Sequence, residues 1–127
     1  MWDERSPSLN LPSATALSSS WDPELACRYG AVLAVEARHK GVDVVLGPTI
    51  NLHRSPLGGR HFEAFSEGPV LTADLAAAFV RGLQDQGVAA TSKYYVANDY
   101  ETGVCQTNGV TRVGGVTDGL RRVGRRR

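Results

Sequence analysis

Apolar positions recur at helical spacing in two stretches of the chain and gather into short runs between them. Asp22-Pro23 opens the first helical stretch, with Asp as N-cap and Pro at the first helical position. Ala26, Gly30, Leu33 and Ala37 then fall on one face, and Leu25, Tyr29 and Val32 widen it. Side chains this small predict close packing against a sheet. Arg38, His39 and Lys40 put positive charge on the last turn, which suits the helix dipole, and Gly41 closes the helix after about Lys40. The second helix is expected to open at Leu71-Thr72, with Thr72 as N-cap and Asp74 in the first turn. Leu75, Phe79, Val80 and Leu83 form its buried face, while Arg81, Gln84 and Asp85 look outward and Gly87 ends it.

The runs between these helices read as strands. Val42 to Leu46 is apolar except for Asp43, and Gly47-Pro48 stops it. Val88 to Ala90 starts another run that continues into Thr91, Ser92, Lys93, Tyr94 and Tyr95. Ser13 to Ser20 (SATALSSS) reads as a short strand of small residues. Residues 1 to 12 are an irregular lead-in, with Pro7 and Pro12 blocking regular structure. The order strand, helix, strand, helix, strand is a repeated βαβ unit. It predicts an α/β fold with a parallel sheet and right-handed crossovers.

The stretch from Val42 to Glu67 carries most of the candidate chemistry. Past its strand comes a loop containing Asn51, His53, Arg54, Arg60, His61, Glu63, Ser66 and Glu67, bent at Gly58-Gly59. Ligand sites in α/β proteins lie beyond the C-terminal ends of the strands, where this loop begins. Arg60 follows one strand and Lys93 sits at the end of the next, so parallel strands put both on the same face. Two such cations can hold hydroxyls or carboxylates, arginine as a planar fork and lysine as a compact donor. A solvated charge is out of place inside an apolar strand, which favours a site role for Lys93. Two readings stand for Glu63 and Glu67: catalytic acids, or carboxylates that organise the loop by pairing with Arg60 or backbone N–H groups. Asp99 and Glu101 follow the last strand and are candidates for the same pocket; two carboxylates can run glycoside hydrolysis as acid and nucleophile. His39, His53 and His61 form neither HxH nor HExxH, so no metal site is predicted. Gly58-Gly59 lacks the spacing of a phosphate loop.

Composition narrows the class further. With 127 residues, 42% hydrophobic and 21% charged, the chain is long enough for one globular domain. Its net charge of +1 gives no overall pull toward nucleic acid or an anionic membrane. No apolar run approaches the roughly 20 residues that span a bilayer, and MWDERSPSLN shows no secretory signal. Cys27 and Cys105 make neither metal-ligand spacing nor a disulfide framework. Residues 103 to 127 differ from the rest: mostly Gly, Val, Thr and Arg, with six glycines and no periodicity. A first division therefore falls at 1–102 and 103–127. The second part reads either as a disordered basic tail or as out-of-frame translation of GC-rich DNA. Arg121, Arg122, Arg125, Arg126 and Arg127 have no interleaved aromatics and form only a generic, salt-sensitive patch, so nucleic acid is not the expected partner.

Two segments carry a resemblance. LGPTINLHRSPLGGRHFEAFSEGP and GLQDQGVAATSKYYVAND closely resemble the N-terminal barrel domain of family 3 glycoside hydrolases, in the β-glucosidase and β-xylosidase branch. That branch carries a stretch like GP-x-x-N-x-x-R-x-P-x-G-G-R-x-F-E-x-[FY]-S-E-D-P, then G-V-x-[AS]-x-x-K-H-[FY]. The match runs over roughly residues 9 to 101 with its spacing intact. The resemblance implies part of a (β/α)8 TIM-type barrel: about three parallel strands and two helices, with an irregular C-terminal tail. It implies retaining hydrolysis of O-glycosyl bonds in β-linked sugars, part of carbohydrate metabolism, through a covalent glycosyl-aspartate and without any metal or organic cofactor. It makes Arg60 and Lys93 the residues that hydrogen-bond the sugar in the −1 subsite.

The departures from the pattern carry as much weight. Tyr94 stands where the family has histidine, and Gly68 where it has the aspartate of Ser-Glu-Asp-Pro. A phenol at 94 can donate to a sugar hydroxyl but is bulkier than imidazole, so Tyr94 joins Arg60 and Lys93 as a candidate substrate-binding residue. The family's substrate-binding Asp, in an Asp-Gly-Pro segment, its nucleophilic Asp, in a [ST]-Asp-Trp segment, and its general acid, from a second domain, find no counterpart in these 127 residues. The expectation is a piece of a β-glucosidase that does not turn over glycosides alone and lacks the remainder of the barrel and the second domain. The other reading is a non-catalytic sugar-binding module. About three strands of eight leave open parallel edges and one uncovered face, which predicts a marginal, aggregation-prone monomer or one that needs a complementing fragment.

Overall fold

The computed structural model describes residues 7–95, 98 and 99. Glu101, Cys105 and the arginine-rich stretch lie outside the described residues, as does the proposed change of character at 103. In chain order the elements are α1 (Ala14–Ser18), α2 (Pro23–His39), β1 (Val44–Val45), a 3₁₀ turn (His61–Glu63), α3 (Pro69–Gln84) and β2 (Ala89–Ala90). The two strands pair in parallel, Val44 with Ala89 and Val45 with Ala90. This is an α/β arrangement with one parallel crossover, and α3 makes the connection.

Both ends of α2 follow from its sequence. Asp22 accepts from the Glu24 N–H at 2.8 Å, and Pro23 supplies a fixed φ at the first turn. At the other end Gly41 adopts φ +66°. Its N–H reaches the Arg38 carbonyl at 3.1 Å, and the Val42 N–H reaches the Ala37 carbonyl at 2.8 Å. These two bonds make a Schellman turn. Gly87, at φ +78°, closes α3 in the same way, with the Val88 N–H on the Leu83 carbonyl at 3.2 Å. Each long helix therefore hands the chain to its strand through the same turn.

The helices pack mainly on each other, not on the sheet. The buried line on α2 is Ala26, Gly30, Ala34 and Ala37. Leu25 and Val32, expected in that face, are exposed. A Cβ on Gly30 would overlap the Phe79 carbonyl oxygen of α3, and a Cβ on Gly82 would overlap the Cys27 carbonyl oxygen of α2. The two backbones thus touch through reciprocal glycines, which explains why α2 buries small residues. Leu75, Leu83 and Val88 fill the centre behind this contact. Phe79 stacks toward Tyr29 and Phe65, with ring centroids 5.8 Å and 6.4 Å away. The sheet has one covered face: Val45 and Ala90 turn toward the helices, while their neighbours Val44 and Ala89 are exposed.

Three further expectations need correction. Ser13 to Ser20 is not a strand. Ser13 caps a helical turn by accepting from the Ala16 N–H at 3.2 Å, and five residues of α1 follow. Local capping by a hydroxyl decides a segment that has no hydrophobic period of its own. With that strand gone, the described residues hold two strands and three α-helices instead of three strands and two helices. Thr72 is not the N-cap of α3 either. Gly68 takes that position, Pro69 occupies the first turn, and Thr72 is buried one turn inside. A proline at the first helical position sets the start earlier than a threonine can. The strands are also shorter than expected, because Gly47-Pro48 and Ser92 break the ladder. It resumes only as single bridges of Thr49 with Lys93 and with Ala64.

Candidate functional site

The site is built where those bridges extend the sheet. The Lys93 N–H bonds the Pro48 carbonyl at 3.0 Å, and the Ile50 N–H bonds the Lys93 carbonyl at 3.1 Å. Lys93 is thereby fixed next to the start of the long loop. The loop is held from the far side by α1. The Thr15 hydroxyl lies 3.0 Å from the Ala64 carbonyl and 3.2 Å from the His61 carbonyl, and the Ser18 hydroxyl donates to the Phe65 carbonyl. The serine- and threonine-rich segment read as a strand is therefore a set of hydroxyl anchors for the 3₁₀ turn. Gly58 contributes space: a Cβ there would run into the His61 imidazole.

Arg60 and Lys93 converge as the parallel order predicts, and Glu63 joins them. The Arg60 Nε and Nη2 approach Glu63 Oε1 at 2.8 and 2.7 Å. The Lys93 Nζ donates to Oε2, the other oxygen, at 2.5 Å. The Glu63 and Lys93 side chains are 21% and 27% exposed, so this is a partly desolvated cluster and not a surface pair. Burial alone would raise the Glu63 pKa. Hydrogen bonds from Lys93 and Arg60, and their charges, outweigh it and hold the carboxyl below its ordinary value. Tyr94 completes the group from the side. The Arg60 Cζ lies 5.0 Å and the Lys93 Nζ 4.9 Å from its ring centroid, both within cation–π range. Its backbone is left-handed, at φ 60°, an uncommon conformation for a bulky residue and one associated with functional sites.

Other candidates take structural places. Glu63 pairs with Arg60, as its second reading expects, and Glu67 is exposed. Asn51 is buried; its amide donates to the Asn98 carbonyl and to Asp99 Oδ1, each at 3.1 Å, and its Oδ1 accepts from the Asn98 N–H at 3.2 Å. Arg54 pairs with Asp99 at 3.2 Å. Asp99 is thus tied to Asn51 and Arg54. The His53 Nε2 lies 2.7 Å from the His61 carbonyl, so that nitrogen carries the proton in this contact. Among the described residues, no group of three His, Cys, Asp or Glu side chains could hold a metal ion.

A groove of about 230 Å³ runs beside the cluster, with Tyr29, Phe65 and Phe79 along its apolar side and Glu63 and Lys93 on its wall. Small-molecule sites span roughly 300–1,000 Å³, so this groove falls below that range, and Arg60 and Tyr94 do not line it. The Tyr29 hydroxyl donates to the Pro12 carbonyl at 2.8 Å, and burial raises its pKa.

Residues 5–113 match the family described as "Glycosyl hydrolase family 3 N terminal domain". A β-glucosidase of Rhizobium radiobacter is 54% identical over 90 residues, which is 71% of this chain and 11% of that protein. β-Glucosidase B of Emericella nidulans is 52% identical over 91 residues, 72% of this chain and 11% of its own length. Among solved structures, β-glucosidase 3B from Thermotoga neapolitana in complex with glucose superposes with a TM-score of 0.70. It is 48% identical and covers 72% of this chain and 13% of its own. A family 3 β-glucosidase of Bifidobacterium adolescentis gives a TM-score of 0.76 at 41% identity, covering 82% of this chain and 15% of its own. The chain therefore spans about a tenth of the length of the curated relatives it matches.

Proposed function

The chain belongs to glycosyl hydrolase family 3, within its N-terminal domain, and from that we propose that it forms part of the sugar site of a retaining β-glucosidase. Arg60, Lys93 and Tyr94 are the residues that meet the sugar. Arg60 and Lys93 donate to its hydroxyls, and Tyr94 bounds the site beside them. The observation that carries this reading is the convergence of Arg60 and Lys93 on one carboxylate past the C-terminal ends of two parallel strands. Lysine has three N–H donors, and Glu63 takes one of them. The glucose in the Thermotoga neapolitana structure supports a neutral hexose as the ligand class.

The 127 residues alone bind and do not hydrolyse. No [ST]-Asp-Trp segment occurs in them, and a missing nucleophile and acid each cost orders of magnitude in rate. Turnover belongs to an assembly that adds the rest of the barrel and a second domain. The test is a glucose titration of the isotope-labelled chain by NMR, with hydrolysis of an aryl β-glucoside measured in parallel. Saturable shifts at Arg60, Lys93 and Tyr94, with a Kd on the order of millimolar, are expected, lost in Arg60→Ala and Lys93→Ala, with no product released. Absence of shifts in the folded chain overturns the binding reading, and product release overturns the division of labour.

A further inference from the structure

Two cations close together repel each other, and neither has a reason to hold a fixed place unless something opposes that repulsion. Among the described residues, the Glu63 carboxylate opposes it. Glu63 divides its two oxygens: Oε1 takes the side-on edge of the Arg60 guanidinium, Nε and Nη2, at 2.8 and 2.7 Å, and Oε2 takes the Lys93 ammonium. The two partners come from different parts of the chain, three and thirty residues away. Glu63 is itself fixed. It sits on a 3₁₀ turn whose first carbonyl, His61, and the following Ala64 carbonyl lie within reach of the Thr15 hydroxyl of α1, and whose Glu63 N–H donates to the Arg60 carbonyl at 3.1 Å. The Tyr94 ring also meets both cations, its centroid 5.0 Å from the Arg60 Cζ and 4.9 Å from the Lys93 Nζ.

We propose that Glu63 is a positioning residue of the sugar site, setting the separation and orientation of Arg60 and Lys93 through its two carboxylate oxygens. This rests on the reading of Arg60 and Lys93 as sugar-binding residues. Glu63 acts through them and does not itself need to touch the ligand. The geometry has a specific chemical requirement: two acceptor oxygens on one rigid plane. Glutamine has the same shape but only one acceptor oxygen, and its NH₂ must point at a donor. Aspartate keeps both oxygens on a shorter stem.

The experiment follows the Arg60 Nε–H resonance and glucose binding together in the full chain, as wild type, Glu63→Gln and Glu63→Asp. In wild type the Arg60 Nε–H is expected as a slowly exchanging resonance. In Glu63→Gln it is expected to be lost, with glucose affinity reduced about tenfold or more, as for loss of a charge-assisted hydrogen bond. Amide exchange in α2 and α3 stays unchanged in that variant. Glu63→Asp recovers part of both signals, a rescue that simple surface packing at position 63 would not give. If Glu63→Gln keeps the Arg60 resonance and the affinity, the proposal is overturned; a wild-type chain with no protected Arg60 resonance overturns it too. A wild-type chain with the protected resonance but no glucose shifts removes the sugar reading only. Comparison of the Arg60 resonance in the two variants then still decides whether Glu63 positions the cations.

Discussion

The helix pair and the loop side of the sheet are held together by opposite means. Between α2 and α3 the contact is apolar and close, sealed by Gly30 against Phe79 and by Gly82 against Cys27. The backbones that touch there belong to two helices joined by the chain between His39 and Pro69. On the loop side the contacts are polar and come from distant parts of the chain: Thr15 and Ser18 hold the 3₁₀ turn, Glu63 holds Arg60 and Lys93, and Asn51 holds Asn98. Beside them Leu46 is 72% exposed and Phe62 60% exposed. The helix pair therefore carries most of the apolar packing, and the loop side holds the residues of the proposed sugar site.

The strongest way to break this comparison is to empty the helix contact. Phe79→Ala removes the ring that meets both Tyr29 and Phe65 and is expected to cost about 3–5 kcal/mol. In a chain this small that means loss of cooperative unfolding by circular dichroism, and a sharp melt near the wild-type temperature would contradict it. Gly82→Ala comes next. Its new Cβ meets a backbone carbonyl that cannot rotate away, so overpacking of about 1–3 kcal/mol is expected in urea denaturation. An unchanged midpoint would show that the helices are not in contact there. Thr15→Val sharpens the other side. It removes the hydroxyl that anchors the turn and is expected to lower stability by about 1 kcal/mol. The Arg60 and Lys93 resonances should move more than those of α3.

The smallest effect is electrostatic. Because the folded chain holds the Glu63 carboxyl below its ordinary value of 4.5, the folded state binds that proton less readily than the unfolded one. Its stabilisation is therefore complete above the unfolded carboxyl pKa and is lost as the pH falls through the lower folded value. Glu63→Gln should lower the plateau near neutrality slightly and flatten the acid limb of the stability profile. An acid limb identical in both chains would assign it to other carboxylates.

Much of the helix pair was legible in the sequence, because its signals are local. Asp22-Pro23 starts α2 and Gly41 ends it, each through a bond within a few residues. Leu75, Phe79 and Leu83 give the period of α3. The reciprocal glycine contact was not legible, because a small residue facing a helix and one facing a sheet look alike in one dimension. α1 was misread because seven small residues and a single leucine have no period, and the Ser13 hydroxyl caps the turn. At the site, the convergence of Arg60 and Lys93 followed from parallel strand order. Half of the Glu63 bridge, its pairing with Arg60, was legible three residues away, and the half that reaches Lys93 was not. Nor did the sequence signal that Tyr94 would turn its ring face to both cations, since that depends on its left-handed backbone.

Amide hydrogen exchange, measured residue by residue with and without glucose, tests the two-region account most directly. The account predicts the slowest exchange in α2 and α3 around Gly30 and Gly82, faster exchange from His53 to Glu67, and a glucose-dependent slowing confined to the loop and Lys93. Uniform protection across both regions, or a glucose effect centred on the helix pair, would contradict it.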